Sequence, residues 1–409
     1  DNMCIGNENR QVVIGKRRRC IVKLIILGAG SRGGVYARYA KKYGAQVVAA
    51  ADTNKEGLKK FGELYGIPED RLYPSWEQAL EGAKYADGVI NSTPDRIHYA
   101  ATMAALDKGY HVLMEKPMSP VEEECRDMVE IAEEKGLILM VAHVLRYSPF
   151  FETLKEILDS GKIGKIVNFQ LTENVIYWHF AHSFVRGVFR NEEISSPWIL
   201  AKSCHDLDLI TYLMGKRCER VTSIGNLMHF REENAPEGAP DYCLDGCPHE
   251  TTCPYFAPRL YLKHITNVGW PTSMISIDTS FPARYEALRK GKYGRCVYRC
   301  DNDMVDHQSA IFEMEDGSTA TFNMIGLSSE NTRTMRIYGT KGDIRAHLGK
   351  SGIEVHDFLT GEREEIEVQY DEIISSHGGG DARLTKDFLD AISGGEAEKK
   401  TSASLSLQS

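Results

Sequence analysis

Two short stretches hold residues suited to moving protons. AKSCHDLDLITYLMG (201–215) places Leu207, Leu209, Ile210, Leu213 and Met214 at helical spacing, yet its first turns carry Lys202, Cys204, His205, Asp206 and Asp208. Counted from Lys202, His205 lies three residues on and Leu209 seven, so they share one side of a helix. Lys202 and His205 are therefore expected to reach one cleft. Asp208, three residues past His205, is placed to hold its imidazole in one tautomer. The second stretch, MEKPMS (Met114–Ser119), ends an apolar run, and Pro117 favours an extended or turning chain there. A lysine at Lys116, beside Glu115, could exchange a proton with a substrate hydroxyl while hydride leaves the adjacent carbon. The blander alternatives are a surface Lys–Glu pair and a capping or core histidine.

These groups need elements to position them. LIILG (24–28), QVVAAAD (46–52), DGVINS (87–92), HVLME (111–115) and LILMVAH (137–143) read as buried strands, with amphipathic helical stretches between them. Such alternation implies a parallel sheet with right-handed crossovers. The fold expected over 22–145 is an α/β Rossmann domain. Beyond about residue 150 the rhythm changes. Between Val305 and Val368 short strands succeed one another, separated by turn pairs such as EDGS and GTKGD. Runs of strands usually pair antiparallel, so 146–395 is expected to be α+β with a large open, mostly antiparallel sheet. A last helix, DARLTKDFLDAIS, falls within it, as does a cysteine-rich insertion over 231–300. Residues 1–21 read as an extension and 396–409 as a loose or curtailed tail.

GAGSRG (Gly28–Gly33) follows the first strand and opens a helix, with Asp52 ending the next strand. In that context the glycines form a dinucleotide loop. Gly28 makes the turn, Gly30 admits a pyrophosphate to the amides of Ser31 and Arg32, and Gly33 lets helix and strand pack closely. Asp52 would take the adenosine ribose hydroxyls, favouring NAD over NADP.

ENVIYWHFAHSFVRG (173–187) offers Tyr177, His179 and His182 as a substrate wall, or as an aromatic interface. The ten cysteines suit a reducing compartment, so a cytoplasmic location is expected. Cys243, Cys247 and Cys253, with Cys300, could form a structural zinc site, an iron–sulfur cluster, or neither. The chain has 49 basic and 58 acidic residues, net −9, which argues against a general nucleic-acid binder. The basic run Lys16–Cys20 leads into an apolar stretch, but Lys23 and the glycine loop oppose a secretory signal. No stretch approaches the ~20 apolar residues of a membrane span.

Together, the GxGxxG loop, the TPxxxH segment (Thr93, Pro94, His98), the EKP tripeptide and a helix with HxxD resemble the Gfo/Idh/MocA oxidoreductases. The resemblance implies a nicotinamide held between the two domains, facing a sugar, cyclitol or related polyol. It places Thr93, Pro94, His98, Glu115, Lys116 and His143 beside the cofactor, and Arg146 with the substrate. It implies Lys116 and His205 as the catalytic pair. Where many members carry DxGxH, this chain has Ala201 in place of the aspartate, with Lys202 next to it. Dimers or tetramers are usual in the family. The expected activity is an NAD-dependent dehydrogenase or reductase. The alternatives are a redox-neutral glycosidase, in which the hydride returns, and a dinucleotide-binding sensor.

Overall fold

The computed structural model describes residues 21–263, 266–350, 352–370 and 376–408. The basic run Lys16–Cys20 and most of the expected N-terminal extension lie outside the described residues. Among the described residues, no helix is long and apolar enough to cross a membrane.

The apolar runs near the start of the chain become β1 (Lys23–Leu27), β2 (Gln46–Ala51), β3 (Leu72–Tyr73), β4 (Gly88–Asn91), β5 (His111–Met114) and β6 (Leu139–Val141). They pair in parallel in the order β3-β2-β1-β4-β5-β6. Helices cover both faces, which is why most of these strands are apolar throughout. The register sets Leu27 beside Ala51 and Asn91, and Met114 beside Asn91 and Val141. The loops that begin at Gly28, Asp52, Ser92 and Glu115 therefore leave one edge of the sheet together. Gly28 has φ +85°, and a Cβ there would stand 2.3 Å from the Ser92 carbonyl oxygen. A Cβ on Gly33 would stand 2.1 Å from the Gly28 carbonyl oxygen, so the helix Ser31–Lys42 packs on β1 as closely as its glycines allow.

The second sheet contains β7 (Ile166–Ile176), β8 (Cys218–Asn226), β9 (His307–Met314), β10 (Thr319–Ser328), β11 (Thr332–Gly339), β12 (Gly342–His347), β13 (Gly352–Asp357) and β14 (Arg363–Glu367). Its order is β14-β13-β12-β11-β7-β10-β9-β8, antiparallel except for β7 against β10. One face buries Phe169, Leu171, Phe322 and Ile337 against the helices Pro149–Asp159 and Cys204–Met214. Ile311, between the buried Ala310 and Phe312, stays exposed on the other.

Two segments late in the chain return to the first sheet. The helix Gly380–Ile392, expected within the second unit, places Leu384, Phe388 and Leu389 in one core with Leu24 and Ile26. The C-terminal stretch, expected to be loose, is packed. The Val141 amide donates to the Thr401 carbonyl oxygen at 2.9 Å, and Ser402 pairs with Met140. The physical reason is the open edge of β6, whose unpaired backbone groups these residues satisfy.

Phe388 is fully buried at this junction. Phe388→Ala should cost about 3–5 kcal/mol in urea unfolding. A cost below about 1 kcal/mol would show that the last helix is not seated on the first sheet.

Candidate active site

The helix Ser31–Lys42 begins at Gly30, which offers no side chain to cap the first amides, and no acidic residue sits in its first turn. A Cβ on Gly30 would meet nothing within 4 Å. By contrast, Asn54 and Ser75 cap the helices that follow them. Uncapped amides at the positive end of a helix, facing open space, fit a pyrophosphate. Asp52 stands at the end of β2, where one of its oxygens accepts the Asn54 amide at 2.8 Å.

Four side chains expected at the cofactor have partners within the protein. Arg32 bonds Glu115, the Tyr36 hydroxyl and, at 2.6 Å, Asp381. Glu115 is buried and also accepts from the Tyr36 hydroxyl at 2.6 Å. Burial pushes the Glu115 carboxyl up, but Arg32 and Lys116 outweigh it and hold it below the ordinary range. His98 is fully buried, with its ring nitrogens 2.7 Å from the Pro117 carbonyl oxygen and 2.8 Å from that of Thr93. It ties the Thr93–Pro94 turn to the turn after Lys116 instead of reaching outward. The Thr93 hydroxyl donates to Asn91 at 2.7 Å.

The expected catalytic pair comes together at the carboxyl edge of the sheet. The Lys116 Nζ donates to the Ala201 carbonyl oxygen at 2.6 Å. A backbone oxygen thus meets the lysine at the position where a DxGxH motif would have its aspartate. His205 is buried. Burial pushes its imidazole well below the ordinary value, and Lys116, His143 and His377 push the same way. Its Nδ1 has no partner among the described residues. The His143 ring meets it edge-on at 5.9 Å. His143 is likewise held low by burial, although Asp208 pulls the other way.

Two buried ion pairs fix His205 in place. The helix starts at Cys204, because Lys202 and Ser203 break it from the short turn Trp198–Ala201. Lys202 therefore does not share the helix face of His205, and its ammonium pairs with Glu173 of β7. Arg146 grips Asp208 through two hydrogen bonds, 2.8 and 2.6 Å, and donates to the Lys400 carbonyl oxygen. It is a buried structural cation rather than a substrate ligand, and Asp208 is accordingly turned from His205 toward it. Arg333 grips Asp206 at 2.6 and 2.9 Å and also reaches Glu173, its cross-strand partner, at 2.8 Å. Burial pushes Glu173 up, but Arg333 and Lys202 outweigh it and hold it well below the carboxylate range. Burial pushes Asp206 up to about 8; Arg333 opposes the shift and Glu173 reinforces it.

Beside this network lies a cleft of about 270 Å³, lined by Glu173, Lys202, Asn331, Arg333, Tyr370 and His377 among others. Of the expected aromatic wall, only His179 reaches its rim, 3.3 Å from Asn331 through Nδ1. Burial lowers His179 to about 4. Tyr177 packs against Tyr255. His182 is buried, bonded to the Tyr261 hydroxyl at 2.7 Å and stacked on Tyr293 at 4.9 Å. Neither lines the cleft. Glu173, Asn331 and Arg333 were not anticipated as site residues, whereas His377, which the sequence offers ahead of the last helix, does line the cleft.

The cysteines do not form the expected ligand set. Cys243, Cys247, Cys253 and Cys296 line a separate small apolar cavity. The Cys300 thiol instead donates to the Cys296 carbonyl oxygen at 3.3 Å. Among the described residues, no three His, Cys, Asp or Glu side chains are arranged to hold a metal ion. The insertion has its own small core of Ala257, Tyr261, Leu288 and Tyr293.

Residues 22–143 match a family profile described as "Oxidoreductase family, NAD-binding Rossmann fold", and residues 155–408 match its C-terminal alpha/beta domain. The chain belongs to the Gfo/Idh/MocA oxidoreductase family. An oxidoreductase of Bacillus subtilis, YteT, is 25% identical over 372 residues, covering 86% of this chain and 83% of its own. The 2,7-anhydro-N-acetylneuraminate hydratase of Mediterraneibacter gnavus is 29% identical over 218 residues, 51% of this chain and 53% of its own. The chain thus spans about half of that relative. Levoglucosan dehydrogenase, solved with NADH and levoglucosan, shares the fold with a TM-score of 0.69 over 95% of this chain and 94% of its own, at 16% identity.

His182 also carries a test of the packing. Burial lowers it to about 3 in the folded protein, whereas an unfolded histidine titrates near about 6.5. Below that pH the unfolded chain binds a proton that the folded chain refuses, so stability falls as pH drops. Between about pH 7 and pH 5 this one group should remove up to about 2 kcal/mol. His182→Phe should flatten the loss in urea unfolding by that amount, and an unchanged slope would contradict the placement.

Proposed function

We propose that this chain is an NAD(H)-dependent oxidoreductase acting on a CH–OH group of a sugar, glycoside or cyclitol. One observation carries the reading. The Lys116 ammonium and the neutral imidazole of His205, whose Nδ1 has no partner among the described residues, meet at the sheet edge that presents the dinucleotide loop. The bound nicotinamide would accept or supply the hydride. Lys116 would hold the substrate oxygen, and His205 would take the hydroxyl proton as the carbonyl forms. The cleft is slightly smaller than the roughly 300 Å³ at which drug-sized ligand pockets begin. Its amide, carboxylate, ammonium and guanidinium groups suit a small polyhydroxylated ligand. Lys202 has 20% of its side chain exposed and would contact a substrate oxygen there. Asp52 supports NAD as the preferred dinucleotide.

The hydratase relative supports a second reading, in which the hydride returns to the product and no NADH accumulates. A panel of hexoses, inositols, sugar acids, anhydrosugars and aryl glycosides separates the two, with NADH absorbance and released product followed together. NADH should rise with one class of substrate, and Lys116→Ala should reduce the rate by about 10²–10⁴. Product without NADH would select the redox-neutral reaction. Full activity in Lys116→Ala would overturn both.

A further inference from the structure

The series His205–His377–Asp381 runs from the expected catalytic histidine toward solvent. His377 has φ 59° and ψ 30°, a conformation L-residues seldom adopt, and Gly378 and Gly379 continue the left-handed turn. The turn swings the His377 ring to 5.9 Å from that of His205 and onto the cleft wall. The His377 Nδ1 lies 3.1 Å from Asp381 Oδ2. Asp381 is fully buried at the start of the last helix, and its other oxygen accepts from Arg32 at 2.6 Å. The His377 side chain is 36% exposed, whereas His205 is buried.

We propose that His377 is the outer acid–base residue of the active site, passing the substrate proton between His205 and solvent, with Asp381 and Arg32 as its positioning residues. The inference rests on the dehydrogenase reading. A buried imidazole facing Lys116, His143 and Arg333 is a poor place to leave a proton. In the oxidation direction the hydroxyl O–H bond breaks and its proton passes to His205. It then moves, directly or through one water, to His377 and out to solvent, while the hydride goes to the nicotinamide. Reduction runs the same steps backward. The charged groups about His377 favour this. Asp381 accepts from Nδ1 and leaves Nε2 as the nitrogen that exchanges. Burial pushes the Asp381 carboxyl up, but the hydrogen bond from His377 and the Arg32 guanidinium outweigh it and hold it low, and Glu173 across the cleft offsets Lys202 and Arg333.

The test uses full-length protein labelled with ¹⁵N at its histidines. His377 should show the tautomer protonated at Nδ1, and Asp381→Asn should lower its titration midpoint by removing an anion. A midpoint unmoved by that change, or a His377 protonated only at Nε2, would overturn the dyad whether or not a substrate has been found. On the substrate that the panel identifies, His377→Gln should lower turnover at least tenfold with KM little changed. It should also lose one limb of the pH profile, and added imidazole should partly restore His377→Ala. Turnover within twofold of the unmodified enzyme, with the same pH profile, would overturn the proton role.

Discussion

Two buried carboxylates on one helix constrain everything around them. Asp206 and Asp208 follow His205 in the helix with no exposed surface. An ionised carboxylate removed from water without a partner is destabilising by several kcal/mol. Asp208 therefore demands a cation, Asp206 is gripped by one although burial and Glu173 push its carboxyl toward the neutral form, and the two cations come from opposite sides. Arg146 belongs to the turn after β6, and Arg333 belongs to β11 of the second sheet. Two bidentate grips thus fasten the helix between the sheets. His205 has little freedom left and faces Lys116 across the junction.

The same arrangement sets the electrostatics. Desolvation and neighbouring cations act in one direction on His205, and burial lowers His143 beside it. Neutral imidazoles next to an ammonium add no unpaired buried charge of their own at rest. The anions that would reverse this are already taken. Asp208 is held by Arg146, Glu173 by Arg333 and Lys202, and Glu115 by Arg32. The structural ion pairs therefore tune the site as well as support it. The last helix extends the logic, because Asp381 links the dinucleotide loop, through Arg32, to the wall of the cleft.

Patterns local in sequence were legible. GAGSRG after β1, Asp52 after β2 and Lys116 after β5 lie on one sheet edge because parallel strands put all such loops there. Pairings distant in sequence were not. Arg146 was read as a substrate ligand, but its partner Asp208 is 62 residues away and invisible to spacing. Counting Lys202 onto the same helix as His205 misses the break at Ser203, where the helix begins only at Cys204 and Lys202 turns to meet Glu173. A signal for the missed residues did exist. Glu173 and Arg333 occupy core-facing positions of alternating strands, in step with Leu171 and Met335. A charge on the apolar face of a strand requires a buried partner. The cysteines misled because spacing suggests ligands without showing where the thiols point.

The central claim is that, at the junction of the two sheets, hydride leaves a substrate carbon while the proton leaves its hydroxyl oxygen. A crystal structure of the NADH complex tests it most directly. The account places the pyrophosphate on the amides that follow Gly30, and nicotinamide C4 between Lys116 and His205, facing the cleft that holds Lys202 and His377. A nicotinamide ring lying elsewhere, with Lys116 still bonded to Ala201 and shielded from it, would contradict that account.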